Sequence, residues 1–210
     1  MHEPSVLWRR PARTGATTPL VILLHGRGAD EHDLIDLAPS LAPTAAFASL
    51  RAPITLEGGG YTWFRDRGVG RPIAASMRES IASLRDWLDG PAAAAYAHDQ
   101  TYLVGFSAGM MMAGALVLDD PKRFAGAVLL SGAIALDVGE NATPGRLAGM
   151  PIFTAHGTLD DVIPANLVEQ TMRYLTDRSG AELDARTYVR GHAIARQELN
   201  DIATWFAERF

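Results

Sequence analysis

The chain has 210 residues, of which 48% are hydrophobic, a composition typical of a folded globular protein with one domain over residues 1–210. Its net charge of −5 argues against a general affinity for nucleic acid or for an anionic membrane surface. Because the sequence contains no cysteine, disulfides, thiolate metal ligands and a cysteine nucleophile are excluded.

The N-terminal sequence MHEPSVLWRRPARTG lacks the apolar segment of a secretory signal peptide. The longest apolar runs, such as residues 108–118, are too short to span a bilayer and contain glycine. We therefore expect a soluble, cytoplasmic protein without stable membrane insertion.

Short apolar runs alternate with helical patterns along the chain. The runs predict strands over residues 20–24, 45–50, 101–106, 127–130 and 152–155, with an extra N-terminal strand at 6–10 and a more polar one, nearer an edge, at 183–189. Apolar residues at helical spacing predict helices over residues 33–41, 77–88, 166–176 and 197–210. This alternation predicts an α/β fold with a mainly parallel central sheet flanked by helices.

Two segments, 51–72 and 132–150, are rich in glycine or proline and show little periodicity. Long irregular segments in a compact domain tend to be functional loops. We expect these two segments to shape a binding site.

The sequence Gly105-Phe106-Ser107-Ala108-Gly109 fits the G-x-S-x-G pattern of a nucleophile elbow. The preceding TYLVGF predicts a buried strand and the following AGMMMAGALVL predicts a helix. A sharp turn between them would expose Ser107 at the N-terminus of the helix, where N–H groups favour negative charge. The alternative to a nucleophile elbow is a turn of small residues whose only role is to let the helix pack closely against the strand.

A serine nucleophile needs a base, and the base needs an acidic group that orients it. With such an elbow the chain order is serine, acid, histidine. His192 follows the last predicted strand and is the candidate base. Asp160 and Asp161 both follow the strand before it, and spacing alone does not choose between them. Glu182 and Asp184 are weaker candidates because a strand interior is a poor place for the acid.

The oxyanion of an acyl-transfer intermediate needs two N–H donors. The N–H of Ala108 follows the nucleophile, and the loop after the LVILL strand offers the N–H of Arg27. We interpret His25 in this loop as structural. The acidic residues around His32 could suggest a metal site, but we prefer an acidic first helical turn and predict no metal.

The motifs LLHGRGADEHDL, GFSAGM, HGTLDDVIP and GHAI, over residues 20–207, resemble the phospholipase/carboxylesterase family of α/β-hydrolases, which includes acyl-protein thioesterases and small bacterial carboxylesterases. The resemblance implies an α/β-hydrolase fold. It assigns the acid to Asp160, the base to His192, and the oxyanion donors to Arg27 and Ala108.

The resemblance also suggests a substrate pocket. Tyr61, Trp63 and Phe64 are similar to an aromatic element near the acyl pocket of the family, with core packing as the alternative. Ala108 and Met110 stand where the family usually has glutamine and glycine, which changes the surroundings of the nucleophile. We therefore predict that Trp63, Phe64 and Met110 contact substrate.

These observations predict a serine carboxylesterase that hydrolyses short-to-medium acyl esters of small molecules through an acyl-enzyme, without a cofactor. A thioesterase or lysophospholipase using the same triad is the alternative. A non-catalytic binding protein of the same fold would be expected to lack a triad residue. The resemblance also allows a homodimer.

Overall fold

A seven-stranded sheet forms the centre of the computed structural model, which describes residues 4–12, 14–15, 17–138 and 141–210. The strands in the described residues are β1 (Val6–Arg9), β2 (Leu20–Leu24), β3 (Ala46–Leu50), β4 (Ile54–Thr55), β5 (Tyr61–Thr62), β6 (Thr101–Phe106), β7 (Gly126–Leu130), β8 (Pro151–Gly157) and β9 (Glu182–Tyr188), of which β4 and β5 form a separate pair outside this sheet. The α-helices are α1 (Ala38–Leu41), α2 (Ala74–Asp89), α3 (Pro91–Ala94), α4 (Ala108–Asp119), α5 (Ala165–Asp177) and α6 (Arg196–Ala207).

The strand order is β1-β3-β2-β6-β7-β8-β9, and every pair is parallel except β1 with β3. Strands β2, β3 and β7 are buried along their whole length, as continuous apolar runs predict. The more polar β9 lies at an edge. The predicted α/β-hydrolase fold, with a mainly parallel sheet flanked by helices, is confirmed.

Two hydrophobic clusters cover the two faces of the sheet. Alternate residues of β2 point to opposite faces, so Leu20, Ile22 and Leu24 join one cluster while Val21 and Leu23 join the other. Side chains of α2, α4 and α5 complete the first cluster, and side chains of α1 and α6 complete the second. The parallel strands therefore end together at one edge, between two layers of helices.

The helix predicted over residues 33–41 forms only as a 3₁₀ turn over Ile35–Leu37 followed by α1. Pro39 has no N–H to donate to the carbonyl of Ile35. The N–H of Ala38 donates to that carbonyl instead, which closes the tighter 3₁₀ turn. The proline then occupies the first turn of α1, where a missing N–H is tolerated.

Segment 51–72 is not wholly irregular, because β4 and β5 form a short hairpin within it. Of segment 132–150, residues 139–140 lie outside the described residues. Residues 1–3 and 13, which belong to the N-terminal sequence used to predict that no signal peptide is present, also lie outside the described residues. In the part of the chain that the structure describes, no helix has the length and apolarity needed to cross a membrane.

Candidate active site

Ser107 lies in the sharp turn between β6 and α4. Its backbone angles, φ 57° and ψ −116°, lie in a region that non-glycine residues rarely adopt. Its N–H donates to the carbonyl of Leu130 at 2.9 Å, which fixes the turn to the neighbouring strand. A Cβ on Gly109 would lie 1.9 Å from the carbonyl oxygen of Leu24, so only glycine lets α4 approach β2 this closely. The sequence folds into the predicted elbow because its small residues permit this approach.

A chain of hydrogen bonds joins Ser107, His192 and Asp160. His192 Nε2 lies 2.9 Å from Ser107 Oγ, and His192 Nδ1 lies 2.8 Å from Asp160 Oδ2. The ionised carboxylate accepts only, so Nδ1 carries the proton and Nε2 is free to accept from the serine hydroxyl. The three residues follow β6, β8 and β9, whose carboxyl ends meet at one edge of the sheet.

The Asp160 carboxylate is fully buried and ionised. Burial raises the pKa of this carboxyl, but hydrogen bonds from His192 and from the N–H groups of Ile163 and Val162 outweigh it and hold the pKa below its ordinary value. The two N–H groups reach Oδ1 at 3.2 and 3.0 Å, which leaves Oδ2 for the imidazole. Asp161, the second candidate from the sequence, is exposed.

A second imidazole, that of His156, lies near the same carboxylate. Its Nδ1 is 4.0 Å from Asp160 Oδ2, too far for a hydrogen bond, and within the described residues it has no other partner. Burial lowers the pKa of His156 and outweighs the nearby carboxylate of Asp160, which raises it. The neutral ring of His156 therefore leaves the carboxylate to His192.

The loop after β2 carries the predicted oxyanion donor Arg27. His25 anchors this loop from within the core: its Nδ1 donates to the carbonyl of Gly26 at 2.7 Å and its Nε2 accepts the N–H of Ala52 at 3.1 Å. Ala108 is the first residue of α4, so its N–H has no acceptor within the helix. Arg27 and Ala108 line the same cavity as Ser107.

The cavity beside Ser107 has a volume of about 370 Å³. Its polar edge contains an ion pair of Arg27 with Asp66, at 2.8 Å between Nη1 and Oδ2. The large apolar side chains of its lining are Phe64, Val69, Met111, Val162 and Ile163. The site therefore combines a serine hydroxyl that is hydrogen-bonded to an imidazole with an adjoining apolar cavity.

Two of the predicted substrate contacts lie elsewhere. Trp63 is only 1% exposed, donates its indole N–H to the carbonyl of His25 at 2.8 Å, and does not line this cavity. Met110 is 2% exposed and packs against Gly132. Met111 occupies the cavity wall instead, because residues four apart share a helix face and Met111 is four residues after Ser107. That spacing was available in the sequence.

Both the sequence and the fold are similar to those of known proteins. The model of the phospholipase/carboxylesterase family matches residues 12–208. The putative hydrolase MhqD of Bacillus subtilis is 27% identical over 195 residues, covering 92% of this chain and 95% of that protein. An acyl-protein thioesterase 1 of Cryptococcus neoformans is 23% identical over 228 residues, covering 92% and 93%. The crystal structure of a carboxylesterase from Mesorhizobium loti superposes with a TM-score of 0.84 at 27% identity, covering 98% and 99%.

Proposed function

Because the chain belongs to the phospholipase/carboxylesterase family of carboxylic ester hydrolases, we propose that Ser107 is its nucleophile, His192 its general base and Asp160 the residue that orients the base. The observation that carries this proposal is the hydrogen-bonded chain Ser107 Oγ–His192 Nε2–Nδ1–Asp160 Oδ2, with distances of 2.9 and 2.8 Å. The same arrangement of serine, imidazole and carboxylate occurs on several unrelated folds of hydrolases.

The reaction proceeds through an acyl-enzyme. Ser107 Oγ attacks the ester carbonyl while His192 Nε2 takes its proton, and the imidazolium then gives that proton to the leaving alcohol. Water repeats the sequence on the acyl-enzyme and releases the acid. Asp160 stays ionised throughout and stabilises the imidazolium.

The oxyanion that forms in each half-reaction is held by the backbone N–H groups of Ala108 and Arg27. Both residues line the cavity beside Ser107, and Ala108 also lies at the N-terminus of α4, where the helix dipole favours negative charge. Loss of one such donor in a comparable hydrolase costs about 10²–10³ in kcat.

The acyl group occupies the cavity walled by Phe64, Met111 and Ile163. A volume of about 370 Å³ lies near the lower end of the usual range for ligand pockets, ~300–1,000 Å³. The wall is apolar and the volume is modest, which together favour short-to-medium acyl chains over long ones.

Thioester hydrolysis by the same triad is a second candidate function. It is favoured by the similarity over most of the chain to a protein named acyl-protein thioesterase 1. A thioester and an ester of the same acyl group would occupy the same cavity and be attacked by the same hydroxyl. The ratio of kcat/KM for matched p-nitrophenyl esters and acyl thioesters distinguishes the two candidates.

The test of the triad is Ser107→Ala, assayed on p-nitrophenyl butyrate. We expect kcat to fall on the order of 10⁴-fold or more, with an unchanged thermal midpoint, since the alanine removes one oxygen atom. A fluorophosphonate probe should label the unmodified protein at Ser107 and leave the variant unlabelled. Retained turnover in the variant contradicts the proposal, and a folded, unlabelled wild type favours a binding protein of the same fold.

The test of the acyl cavity is a pair of neighbouring methionines. Met111→Ala enlarges the cavity and should move the optimum of a p-nitrophenyl ester series toward longer acyl chains. Met110→Ala should cost about 2–5 kcal/mol of stability, because Met110 is buried on another face of α4, and leave the optimum unchanged. An unchanged optimum in the Met111 variant would place the acyl group elsewhere.

A further inference from the structure

Arg190 is a buried arginine two residues before His192. Its side chain is 8% exposed. Nε and Nη2 donate to the two carboxylate oxygens of Glu198, each at 2.7 Å, and Nη1 donates to Ser131 Oγ at 2.9 Å and to the carbonyl of Gly191 at 3.0 Å. All three guanidinium nitrogens are therefore engaged, and one of the four acceptors belongs to the loop that carries His192.

The acceptors come from separate parts of the fold. Glu198 lies in the first turn of α6, is fully buried, and also accepts the N–H of Ala195 at 3.1 Å. Ser131 directly follows β7, is fully buried, and has a φ of 47°, which is unusual for serine. Arg190 thus ties the end of β9 to the start of α6 and to the end of β7.

The backbone of Arg190 reaches the loop that carries Asp160. Its carbonyl oxygen accepts the N–H of Leu159 at 3.0 Å, one residue before the acid. A Cβ on Gly157 would lie 2.4 Å from that same oxygen, so the end of β8, where the loop of Asp160 begins, approaches Arg190 at a position where only glycine fits. Arg190 therefore lies between the loops of the acid and the base.

Stability alone does not explain a buried ion pair at this position. Replacement of such a pair by apolar side chains of similar volume is often neutral or stabilising, because the charges lose their hydration on burial. What the charged pair provides that apolar side chains lack is directional hydrogen bonds to groups outside the pair, namely Ser131 Oγ, the carbonyl of Gly191 and the N–H of Ala195.

We propose that the Arg190–Glu198 ion pair is a positioning device for the base: it holds the loop of His192 so that Nε2 stays within hydrogen-bond distance of Ser107 Oγ. This inference rests on the proposed triad. Arg190 and Glu198 are positioning residues, since neither touches the nucleophile. The predicted consequence is a loss of turnover when the pair is removed from a protein that still folds.

The test is the double variant Arg190→Met/Glu198→Met, which removes both charges and retains most of the buried volume. We expect a thermal midpoint near that of the wild type, a kcat on p-nitrophenyl butyrate lowered roughly ten- to a hundredfold, and a KM within about twofold. The single variant Arg190→Lys should have a kcat between those of the double variant and the wild type. Its ammonium can pair with Glu198 but cannot also contact Ser131 and Gly191 in the same fork geometry.

The matched control is the exposed pair of Arg186 and Asp184 on β9, which is also bidentate, with distances of 2.7 and 3.0 Å. Arg186→Met/Asp184→Met should leave kcat unchanged. If the buried double variant does not fold, Ser131→Gly tests the positioning role instead. This substitution deletes one acceptor of Arg190, and glycine readily adopts a φ of 47°. We expect kcat to fall while the thermal midpoint stays unchanged.

A folded double variant, or a folded Ser131→Gly variant, with wild-type kcat overturns the positioning role. Ser107→Ala, assayed in parallel, separates the two proposals. An active Ser107→Ala variant refutes the triad itself, whereas an inactive one beside a fully active double variant refutes only the role of the ion pair.

Discussion

Asp160 and Asp161 are adjacent in the sequence, yet the structure surrounds their carboxylates differently. Asp160 is buried and accepts hydrogen bonds from His192, Val162 and Ile163, whereas Asp161 is exposed. The two N–H donors come from the backbone just after Asp160, so the loop itself builds the anion site. A carboxylate held in this way stays ionised and fixes the proton on His192 Nδ1.

Asp160→Asn should lower kcat by about 10⁴-fold. The asparagine amide can donate to Nδ1 and so favour the tautomer that carries its proton on Nε2, which cannot accept from Ser107 Oγ. Steady-state turnover of p-nitrophenyl butyrate measures the loss. Asp161→Asn is the matched control and should keep wild-type kcat; a large loss in this control would reassign the acid.

Much of the candidate site was predictable at the residue scale, and the remainder has identifiable causes. Ser107 and His192 follow from a local motif and from chain order, and the structure brings their side chains together. The choice of Asp160 required a family resemblance, because spacing treats both aspartates alike. Glu198 could not be predicted as a partner of Arg190, since a buried ion pair across eight residues has no local sequence pattern.

At the scale of elements, the hairpin of β4 and β5 supports the loop of Arg27, the proposed oxyanion donor. The N–H of Gly28 donates to the carbonyl of Tyr61 at 2.8 Å, and the N–H of Tyr61 donates to the carbonyl of Ala29 at 2.9 Å. These bonds flank Arg27 on its C-terminal side. The hairpin was not predicted, because its strands have two residues each, too few to reveal a period of two.

Three consecutive glycines at the tip of this hairpin provide a graded test. Gly60→Ala places a Cβ 1.9 Å from the carbonyl oxygen of Gly28 and forces a φ of 71° on alanine, so it should lower both stability and kcat. Gly59→Ala has the positive φ without the collision, and should cost about 1–2 kcal/mol of stability with little change in kcat. Gly58→Ala has neither feature and should be silent.

Thermal midpoints and turnover of p-nitrophenyl butyrate, measured side by side, check this series. The informative comparison is between Gly59→Ala and Gly60→Ala. Both substitutions strain the backbone, but only Gly60→Ala should displace the loop of Arg27. Equal kcat in these two variants would mean that the hairpin does not control the loop.

A second contact between elements joins the turn after β2 to the end of β3. Glu31 is 2% exposed, accepts two hydrogen bonds from Arg51, and accepts another from Ser5 at 3.0 Å. Burial raises the pKa of Glu31, but these hydrogen bonds outweigh it and lower the pKa from an ordinary 4.5 to about 2. The expectation that this acidic segment forms a first helical turn is wrong, because residues 31–34 form a non-helical turn before the 3₁₀ turn that begins at Ile35.

Glu31→Gln should make the free energy of unfolding less dependent on pH. A carboxyl whose pKa is lower in the folded state stabilises the protein above its unfolded pKa, near 4.5, and loses that contribution as the pH falls toward about 2. The wild type should exceed the variant in urea midpoint at pH 6, and the difference should shrink between pH 4.5 and pH 2. A constant difference would contradict the assignment.

At the scale of the whole molecule, one sheet couples two hydrophobic clusters. Trp205 of α6 packs on one face, 3% exposed, with its ring centroid 6.1 Å from that of Tyr102. Trp63 and Trp87 belong to the cluster on the other face. Because alternate residues of each central strand serve opposite faces, damage to one cluster is expected to weaken both.

Trp205→Ala should cost about 3–5 kcal/mol of stability. The loss should appear as one earlier transition, in which the fluorescence of the remaining tryptophans on the opposite face and the esterase activity fall at the same urea concentration. Phe210→Ala, at an aromatic side chain that is 37% exposed, should shift the midpoint much less. Separate transitions for activity and fluorescence would show that the two faces unfold independently.

The order of the strands also decides where a support or fusion partner can be attached. Because β1 runs antiparallel to β3, Val6 and Ser5 lie at the edge of the sheet where Ser107 and His192 lie. The end of α6 returns to the opposite edge, where the ring of Phe210 lies 5.1 Å from that of Tyr102 near the start of β6. Immobilisation through the C-terminus should therefore keep the cavity open to substrate, whereas attachment at Ser5 would place the support on the side of the sheet that carries the cavity.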